Sequence, residues 1–152
     1  MRIMFVCHGN ICRSPMAEFI FKSMLRESGL EDSFTVASSA TSGEEIYRGI
    51  GNPVYPKAAA TLDRHGIPRT PRRATRLVAE DYDRYDLFVG MDSANVRNMR
   101  IIFGSDGLGK IRLLKDYTVG GDVYDPWYTD DFETAYADIR AGCAALLREI
   151  TK

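Results

Sequence analysis

The chain of 152 residues is long enough for one compact domain, since a chain of this length buries about two-thirds of the surface it exposes when unfolded. A composition of 45% apolar and 27% charged residues excludes a disordered protein. The net charge of -1 argues against general affinity for nucleic acid or anionic membranes, and no stretch approaches the ~20 apolar residues of a membrane span. The three cysteines cannot all pair with one another, which favours a reducing compartment. We therefore predict a single cytoplasmic domain over residues 1–152.

The chain starts with a short strand, a loop and a helix. Arg2–Cys7 is largely apolar and too short for a stable helix, and Gly9-Asn10 ends it. Ser14 suits the N-cap of the following helix, with Pro15 at the first helical position. Apolar residues then recur on one helical face until Gly29, a residue type that commonly ends helices.

Strands and helices alternate through the rest of the chain. Further strands are predicted at 34–39, 86–90 and 110–114, and helices at 56–65, 92–103 (capped by Asp92 or Ser93) and 132–150. Such alternation is typical of an α/β fold with a parallel sheet. We predict a three-layer, Rossmann-like or flavodoxin-like fold in which helices flank a central four-stranded parallel sheet. Ligands bind such sheets beyond the carboxyl ends of the strands, where the loop after Cys7 begins.

The loop between Cys7 and Arg13 has the features of an anion-binding site. It joins a strand to a helix N-terminus, so unpaired N–H groups and the positive end of the helix dipole point to one spot. Glycine allows the backbone to approach a ligand closely, and asparagine tolerates a left-handed conformation. The ligand-binding residues predicted here are His8, Gly9, Asn10, Ile11, Cys12 and Ser14.

Cys7, Arg13 and Ser14 have the chemistry for phosphoryl transfer. The positive potential of the loop favours a thiolate at Cys7, which would then be a nucleophile at neutral pH. The planar guanidinium of Arg13 matches two phosphoryl oxygens in a bidentate manner. Ser14 has two candidate roles, as helix N-cap and as hydroxyl donor to the thiolate. The alternative is purely structural: a small buried cysteine, a surface arginine and a helix cap.

A phosphatase also needs an acid for the leaving oxygen, and Asp125 in Asp125-Pro126-Trp127-Tyr128 is the best candidate. Proline restricts the backbone beside this carboxylate, and Trp127 and Tyr128 can flank a planar substrate ring. We expect the 43–55 segment to form the opposite wall, with Tyr47 either part of this wall or an ordinary exposed tyrosine. Taken alone, Asp125-Pro126 also fits an ordinary turn before the last helix.

Residues 5–15, FVCHGNICRSP, resemble the phosphate-binding loop of the low-molecular-weight protein tyrosine phosphatases. The resemblance spans nearly the whole chain, because further family motifs recur in order: Ser39-Ala40, His65-Gly66-Ile67, Tyr85-Asp86, Met91-Asp92 with Asn95, Asp125-Pro126 and Gly142-Cys143. It implies hydrolysis of phosphotyrosine through a phosphocysteine on Cys7, with Arg13 binding phosphate and Asp125 acting as general acid and then base. It also implies a reversible Cys7–Cys12 disulfide, for which packing of Cys12 beneath the loop is the alternative.

Four positions depart from the pattern of the family that the chain resembles. No glycine follows Ala40, Glu44 and Glu45 stand where many members have an aromatic residue, and Arg72 stands where members often have a buried histidine. The hydrogen bonds that support the loop are expected to involve Asn10, Ser14 and Ser39.

We predict no cofactor and no metal, because His8 and His65 lack metal-ligand spacing with any cysteine or acid. The predicted partner is a phosphotyrosine-containing protein or another aryl phosphate, with no nucleic acid and no membrane, and the chain is expected to be a monomer. Cys143 lies on an apolar helical stripe and is predicted to be a buried structural thiol. A basic cluster is interpreted as a solvated face or as a site for an acidic partner; it consists of Arg69, Arg72, Arg73 and Arg76.

Three other functions use related features. A thiol-dependent arsenate reductase on this scaffold needs extra cysteines after the middle of the chain, but residues 70–100 contain none. Protein-arginine phosphatases share the fold and the nucleophile, but those related enzymes tend to have threonine where this chain has Ile11. A phosphoryl carrier or phosphopeptide-binding module would have no use for Asp125.

Overall fold

The computed structural model describes residues 1–152 as a parallel sheet with helices on both faces. The strands are β1 (Arg2–Cys7), β2 (Thr35–Ala40), β3 (Ile46–Tyr47), β4 (Ile50–Gly51), β5 (Leu87–Gly90) and β6 (Ile111–Leu113). The α-helices are α1 (Arg13–Glu27), α2 (Pro56–Arg64), α3 (Asp81–Arg84), α4 (Ser93–Phe103) and α5 (Phe132–Ile150). Short 3₁₀ turns cover Glu31–Ser33 and Leu114–Tyr117.

The central sheet has the strand order β2-β1-β5-β6, and all neighbouring strands are parallel. This confirms the predicted four-stranded α/β fold. Because β1 lies inside the sheet, its carboxyl end at Cys7 opens between β2 and β5. The loop that follows β1 therefore lies at the centre of one sheet edge, where the connections after β2 and β5 also begin.

Alternate side chains of β1 enter two apolar layers. Ile3 and Phe5 belong to the larger core, which includes residues of α1, α2 and α5, whereas Met4 and Val6 pack in a smaller cluster with Met99 of α4. Burial on both faces explains why β1 is continuously apolar rather than alternating. Helices thus cover both faces of β1, and its last residue, Cys7, lies at the edge of the sheet.

Helix α1 begins two residues earlier than predicted. Its N-cap residue is Cys12 and its first residue is Arg13, so the predicted capping role of Ser14 is wrong. The hydroxyl of Ser14 lies instead near the sulfur of Cys7. Pro15 remains compatible with this start, because the first N–H groups of a helix have no intrahelical partner.

The cap of α4 is confirmed as Asp92, the first of the two predicted candidates. Asn95 N donates to Asp92 Oδ1 at 2.8 Å, and Asp92 N donates to Asn95 Oδ1 at 2.9 Å. These reciprocal bonds satisfy donors that a helix start leaves unpaired. They also hold Asp92 at the carboxyl edge of the sheet.

The shortest elements differ most from the predictions. The predicted strand at 110–114 is limited to Ile111–Leu113, since Leu114 already begins a 3₁₀ turn. The β3–β4 hairpin and α3 were not predicted, because two-residue strands and a four-residue helix have no readable periodicity. None of the helices combines the length and apolarity needed to cross a membrane.

Gly51 in β4 provides a test of how the hairpin packs. Ala74 N donates to Asn52 O at 2.8 Å, and a Cβ on Gly51 would lie 1.9 Å from Ala74 O. We expect Gly51→Ala to lower the free energy of unfolding by about 1–3 kcal/mol, because backbone must move to relieve the contact. Urea unfolding measures this. Gly107→Ala is the matched control, with no atom within 4 Å of the added Cβ; equal losses in both variants would contradict the packing argument.

Candidate active site

The loop after β1 turns sharply at Asn10, which has a φ of 60°. This left-handed conformation is the one for which asparagine was expected there. The turn leaves a set of amide N–H groups without a hydrogen-bond partner in the protein, a common property of anion-binding loops. These amides belong to His8, Gly9, Ile11, Cys12, Arg13 and Ser14.

The sulfur of Cys7 faces two polar groups of the loop. Its Sγ lies 2.9 Å from Ser14 Oγ and accepts from Asn10 N at 3.3 Å. Because Asn10 Nδ2 donates to the same Ser14 oxygen at 2.8 Å, the hydroxyl proton of Ser14 is free to donate to the sulfur. Of the two roles considered for Ser14, the geometry therefore supports hydroxyl donor to Cys7.

Arg13 is buried at the start of α1 and is held by three groups. Its Nη2 contacts Asp92 Oδ2 at 2.9 Å and Asp125 Oδ2 at 3.6 Å, and its Nη1 donates to Val123 O at 3.2 Å. Burial alone would lower the pKa of Arg13, but the charges of Cys7, Asp125 and Asp92 raise it. The guanidinium is thus a permanent cation in a restricted orientation.

Asp92 is a member of the site, although the sequence pattern predicted only a helix cap there. Its carboxylate binds Arg13 through Oδ2 while Oδ1 caps α4. Its position two residues after β5, at the carboxyl edge of a parallel sheet, was the signal that could have identified it.

A hydrogen-bond network beneath the loop centres on the side chain of Asn10. Asn10 Nδ2 donates to Ser38 Oγ at 3.0 Å, and Asn10 Oδ1 accepts from Arg72 Nη2 at 2.6 Å and from Thr75 N at 3.0 Å. The network includes Ser38 rather than the expected Ser39, whose hydroxyl is buried without a partner. Asn10 is consequently anchored through both ends of its amide.

Arg72 occupies the place for which the resemblance suggested a histidine, and it supports the loop directly. Besides Asn10 Oδ1, it binds Asn10 O at 3.2 Å, and its Nε lies 3.7 Å from Glu18 Oε1. The same Glu18 oxygen accepts from Ser38 Oγ at 2.6 Å. Burial lowers the pKa of Arg72, opposed by the charges of Glu18 and Cys7.

The predicted basic cluster is therefore not a uniform solvated face. Arg72 has a side-chain exposure of 14% and belongs to the loop network, so the solvated interpretation is wrong for it. Arg69 forms an ion pair with Asp63 at 2.9 Å, and Arg73 donates to Gly51 O at 3.0 Å.

The other two cysteines differ from Cys7 in their surroundings. Burial raises the pKa of Cys12 to about 12, and the charges of Cys7 and Asp125 act in the same direction. Cys143 is fully buried, as predicted, and burial raises its pKa as well. All three thiols are free in the structure, and the Cys7–Cys12 disulfide stays a prediction.

Asp125 lies on the loop before α5, with its carboxylate divided between two neighbours. Oδ1 accepts from Trp127 N at 3.0 Å, and Oδ2 faces Arg13. The ring of Tyr55 packs edge-on against Trp127 at 5.4 Å, and Lys57 pairs with Asp130 at 2.6 Å. These contacts attach the loop that contains Asp125 to the start of α2.

One cavity of about 430 Å³ brings most of the predicted site residues together. It is lined by Cys7, His8, Gly9, Asn10, Ile11, Cys12, Arg13, Glu44, Glu45, Asp92, Ala94, Asn95, Asp125, Trp127 and Tyr128. Ser14 lies beneath it, completely buried. No group of three or more His, Cys, Asp or Glu side chains is arranged to hold a metal ion.

Tyr47 does not line this cavity, so a role in the second wall is corrected in favour of the alternative, an exposed tyrosine. It lies on the β3–β4 hairpin with 74% of its surface exposed. Glu44 and Glu45 stand in the wall instead, where Glu44 pairs with His8 at 3.0 Å and Glu45 accepts from Asn52 at 2.7 Å. Tyr47 thus lies in β3, after the two residues of this segment that line the cavity.

Replacement of Arg72 tests its support of the loop. We expect Arg72→Met to lower the free energy of unfolding by about 1–3 kcal/mol, because the variant leaves Glu18 without this cation and removes two bonds to Asn10. Urea unfolding at pH 7 measures the loss. Arg69→Met, which breaks only an exposed ion pair, should cost much less; equal losses would count against a supporting role for Arg72.

The chain is similar to known proteins both in sequence and in fold. A family model described as low molecular weight phosphotyrosine protein phosphatase matches residues 2–152. YfkJ of Bacillus subtilis, a low molecular weight protein-tyrosine-phosphatase, is 37% identical over 99% of this chain and 96% of its own. The human low molecular weight phosphotyrosine protein phosphatase is 35% identical over 97% of this chain and 94% of its own.

Solved structures agree with the sequence comparison. The crystal structure of YfkJ matches with a TM-score of 0.92 and 36% identity, covering 99% of this chain and 94% of YfkJ. A mutant of YwlE, described as an arginine phosphatase, matches with a TM-score of 0.84 and 28% identity, covering 100% of this chain and 97% of YwlE. The match of the family model to nearly every residue and these identities show that the chain belongs to the low molecular weight phosphotyrosine protein phosphatase family.

Proposed function

We propose that the chain is a protein tyrosine phosphatase that hydrolyses phosphotyrosine and other aryl phosphates by two displacements at phosphorus, without a cofactor. The observation that supports this proposal is the convergence of Cys7, Arg13 and Asp125 on one cavity. Unpaired amide N–H groups of the loop surround the same space. A nucleophile, a cation and an acid are the minimum set for this chemistry.

In the first step the phosphoryl oxygens accept hydrogen bonds from the loop amides and from Arg13. Cys7 Sγ attacks phosphorus, the S–P bond forms and the bond from phosphorus to the aryl oxygen breaks. Asp125 gives its proton to the leaving oxygen, so the product departs as a neutral phenol. Asp92 and Val123 O hold the guanidinium while charge moves onto the phosphoryl group.

In the second step Asp125, now a carboxylate, removes a proton from water. The water oxygen attacks phosphorus, the S–P bond breaks, and inorganic phosphate is released. The Ser14 hydroxyl, 2.9 Å from the sulfur, stabilises the thiolate as it leaves. The nucleophile must be reduced in this cycle, which is consistent with the proposed cytoplasmic location. The proposed enzyme acts as a monomer.

The cavity walls favour a flat, aromatic substrate. Trp127 and Tyr128 stand on one side with 54% and 85% of their surfaces exposed, and Ile11 contributes an apolar surface near Cys7. An aromatic ring can pack against such side chains while its phosphate reaches the loop. Phosphotyrosine in a protein substrate meets these requirements.

Hydrolysis of phosphoarginine is the second candidate, favoured by the structural likeness to the arginine phosphatase YwlE. Both substrates would use the same nucleophile and loop. A parallel assay of phosphotyrosine, phosphoserine, phosphoarginine and arsenate, with and without a chelator, separates the candidates. Faster turnover of phosphoarginine than of phosphotyrosine would replace the first proposal by the second.

Substitutions of the nucleophile and the acid test the mechanism. We expect Cys7→Ser to abolish turnover of phosphotyrosine, and Asp125→Ala to lower kcat by about 10²- to 10⁴-fold, because the leaving oxygen would lack a proton donor. Steady-state kinetics measure both. Asp83→Ala, which removes a carboxylate on α3 outside the cavity, should keep full activity. Unchanged kcat in Asp125→Ala would exclude Asp125 as the acid.

The dependence of kcat/KM on pH provides a separate test. We expect a maximum, because Cys7 must be deprotonated and Asp125 protonated for the first step. In Asp125→Asn the fall on the alkaline side should disappear while the rise on the acidic side remains. A flat profile of the wild type from about pH 4 to 8 would contradict this pair of roles.

A further inference from the structure

A second cavity lies between α4 and β6, outside the site described above. It is an open groove of about 890 Å³. Its lining is formed by Ser93, Val96, Arg97, Arg100, Ile101, Gly104, Ile111, Arg112, Leu113 and Asp116. We call this surface the α4–β6 groove.

Three arginines of the α4–β6 groove form no ion pair, although Arg100 interacts electrostatically with Asp106, which lies outside the lining. Arg97 and Arg100 make no side-chain hydrogen bond or ion pair within 4 Å, and Arg112 donates only to Gly109 O and Ile111 O. Asp116 is the single carboxylate in the lining. Among the lining side chains positive charge is therefore in excess, with Asp122 adding one carboxylate beside Ser93, although the chain as a whole has a net charge of -1.

The groove also exposes apolar surface beside these cations. Ile101 is 73% exposed on α4, and Val96 and Leu113 are partly exposed on the two sides of the groove. Charged side chains that flank an exposed aliphatic residue suit a segment with acidic residues and an apolar side chain. Charge and apolarity together describe an acidic peptide better than a small anion.

The α4–β6 groove begins beside the active-site cavity. Ala94 and Asn95 of α4 line the cavity, and Ser93 and Val96 of the same helical turn line the groove. Along α4 the groove extends about 16 Å, the length of eleven helical residues, which about five residues of extended peptide would cover. A protein bound by its phosphotyrosine thus has chain within reach of the groove.

We propose that the α4–β6 groove binds an acidic segment of the phosphotyrosine protein substrate, near the phosphotyrosine in its sequence. The proposal rests on the proposed function, because the substrate is the partner that must lie at this edge of the sheet. In this proposal Arg97 and Arg100 bind the substrate protein, and the residues of the active-site cavity catalyse the hydrolysis.

The test compares two phosphotyrosine peptides of equal length. The first peptide has three Asp or Glu residues and a leucine, all about four to eight residues from the phosphotyrosine. The second peptide has serine in place of the three acidic residues. Each peptide is made in two versions, with this segment before or after the phosphotyrosine. We expect kcat/KM to be about fivefold to tenfold higher for the acidic peptide at low salt, a preference that high salt should reduce. In Arg97→Ala/Arg100→Ala the preference should disappear, while kcat/KM for free phosphotyrosine stays unchanged.

Arg26→Ala/Arg148→Ala is the matched control, since it removes two exposed helical arginines from other surfaces. Equal kcat/KM for both peptides in the wild type, or the same loss of preference in the control, would overturn the proposal.

Fluorescence anisotropy of the unphosphorylated acidic peptide measures binding at the groove independently of hydrolysis. Binding lost in Arg97→Ala/Arg100→Ala supports the groove even if phosphotyrosine is not hydrolysed. Binding of an oligonucleotide without binding of the peptide would identify a different partner and overturn the proposal.

Discussion

The active-site loop depends on the anchoring of one amide, the side chain of Asn10. Its oxygen accepts from Arg72 and from the backbone of Thr75, and its nitrogen donates to Ser14 and Ser38. With both ends bound, the residue is held at a φ of 60°, and the backbone turns there. The loop residues on either side of Asn10 line the cavity in front of Cys7, so hydrogen bonds beneath the loop shape this cavity.

The second constraint is the balance of charge around Arg13. The guanidinium is buried between Asp92, Asp125 and Val123 O, so its orientation is set before a substrate arrives. Asp92 binds it firmly because it also caps α4, whereas Asp125 lies at 3.6 Å on an exposed loop. One carboxylate thus positions the cation, and the other is available for proton transfer in the proposed mechanism.

The departures from the family pattern change the residues around the cavity, but the loop keeps its supporting hydrogen bonds. Arg72 provides hydrogen bonds to Asn10 where the resemblance suggested histidine, and Glu18 balances its charge at 3.7 Å. An arginine at this position stays charged across the pH range in which a histidine titrates. On the other side of the cavity, Glu44 and Glu45 form an acidic wall where an aromatic one was expected.

The sequence by itself determined the parallel α/β fold, the strand–loop–helix unit around Cys7 and Arg13, and the family. The fold and this unit depend on local patterns: apolar runs, glycine and asparagine at a turn, and an amphipathic helix. The family followed from the resemblance of the Cys7–Arg13 loop and of the motifs that recur in order after it. Only the tertiary structure decided that Asp92 binds Arg13, that Ser38 and Arg72 support Asn10, and that Tyr47 lies outside the cavity. These contacts join residues distant in the chain, and their geometry is set by how β2, β5 and the 70–76 segment pack around β1, which no local pattern encodes.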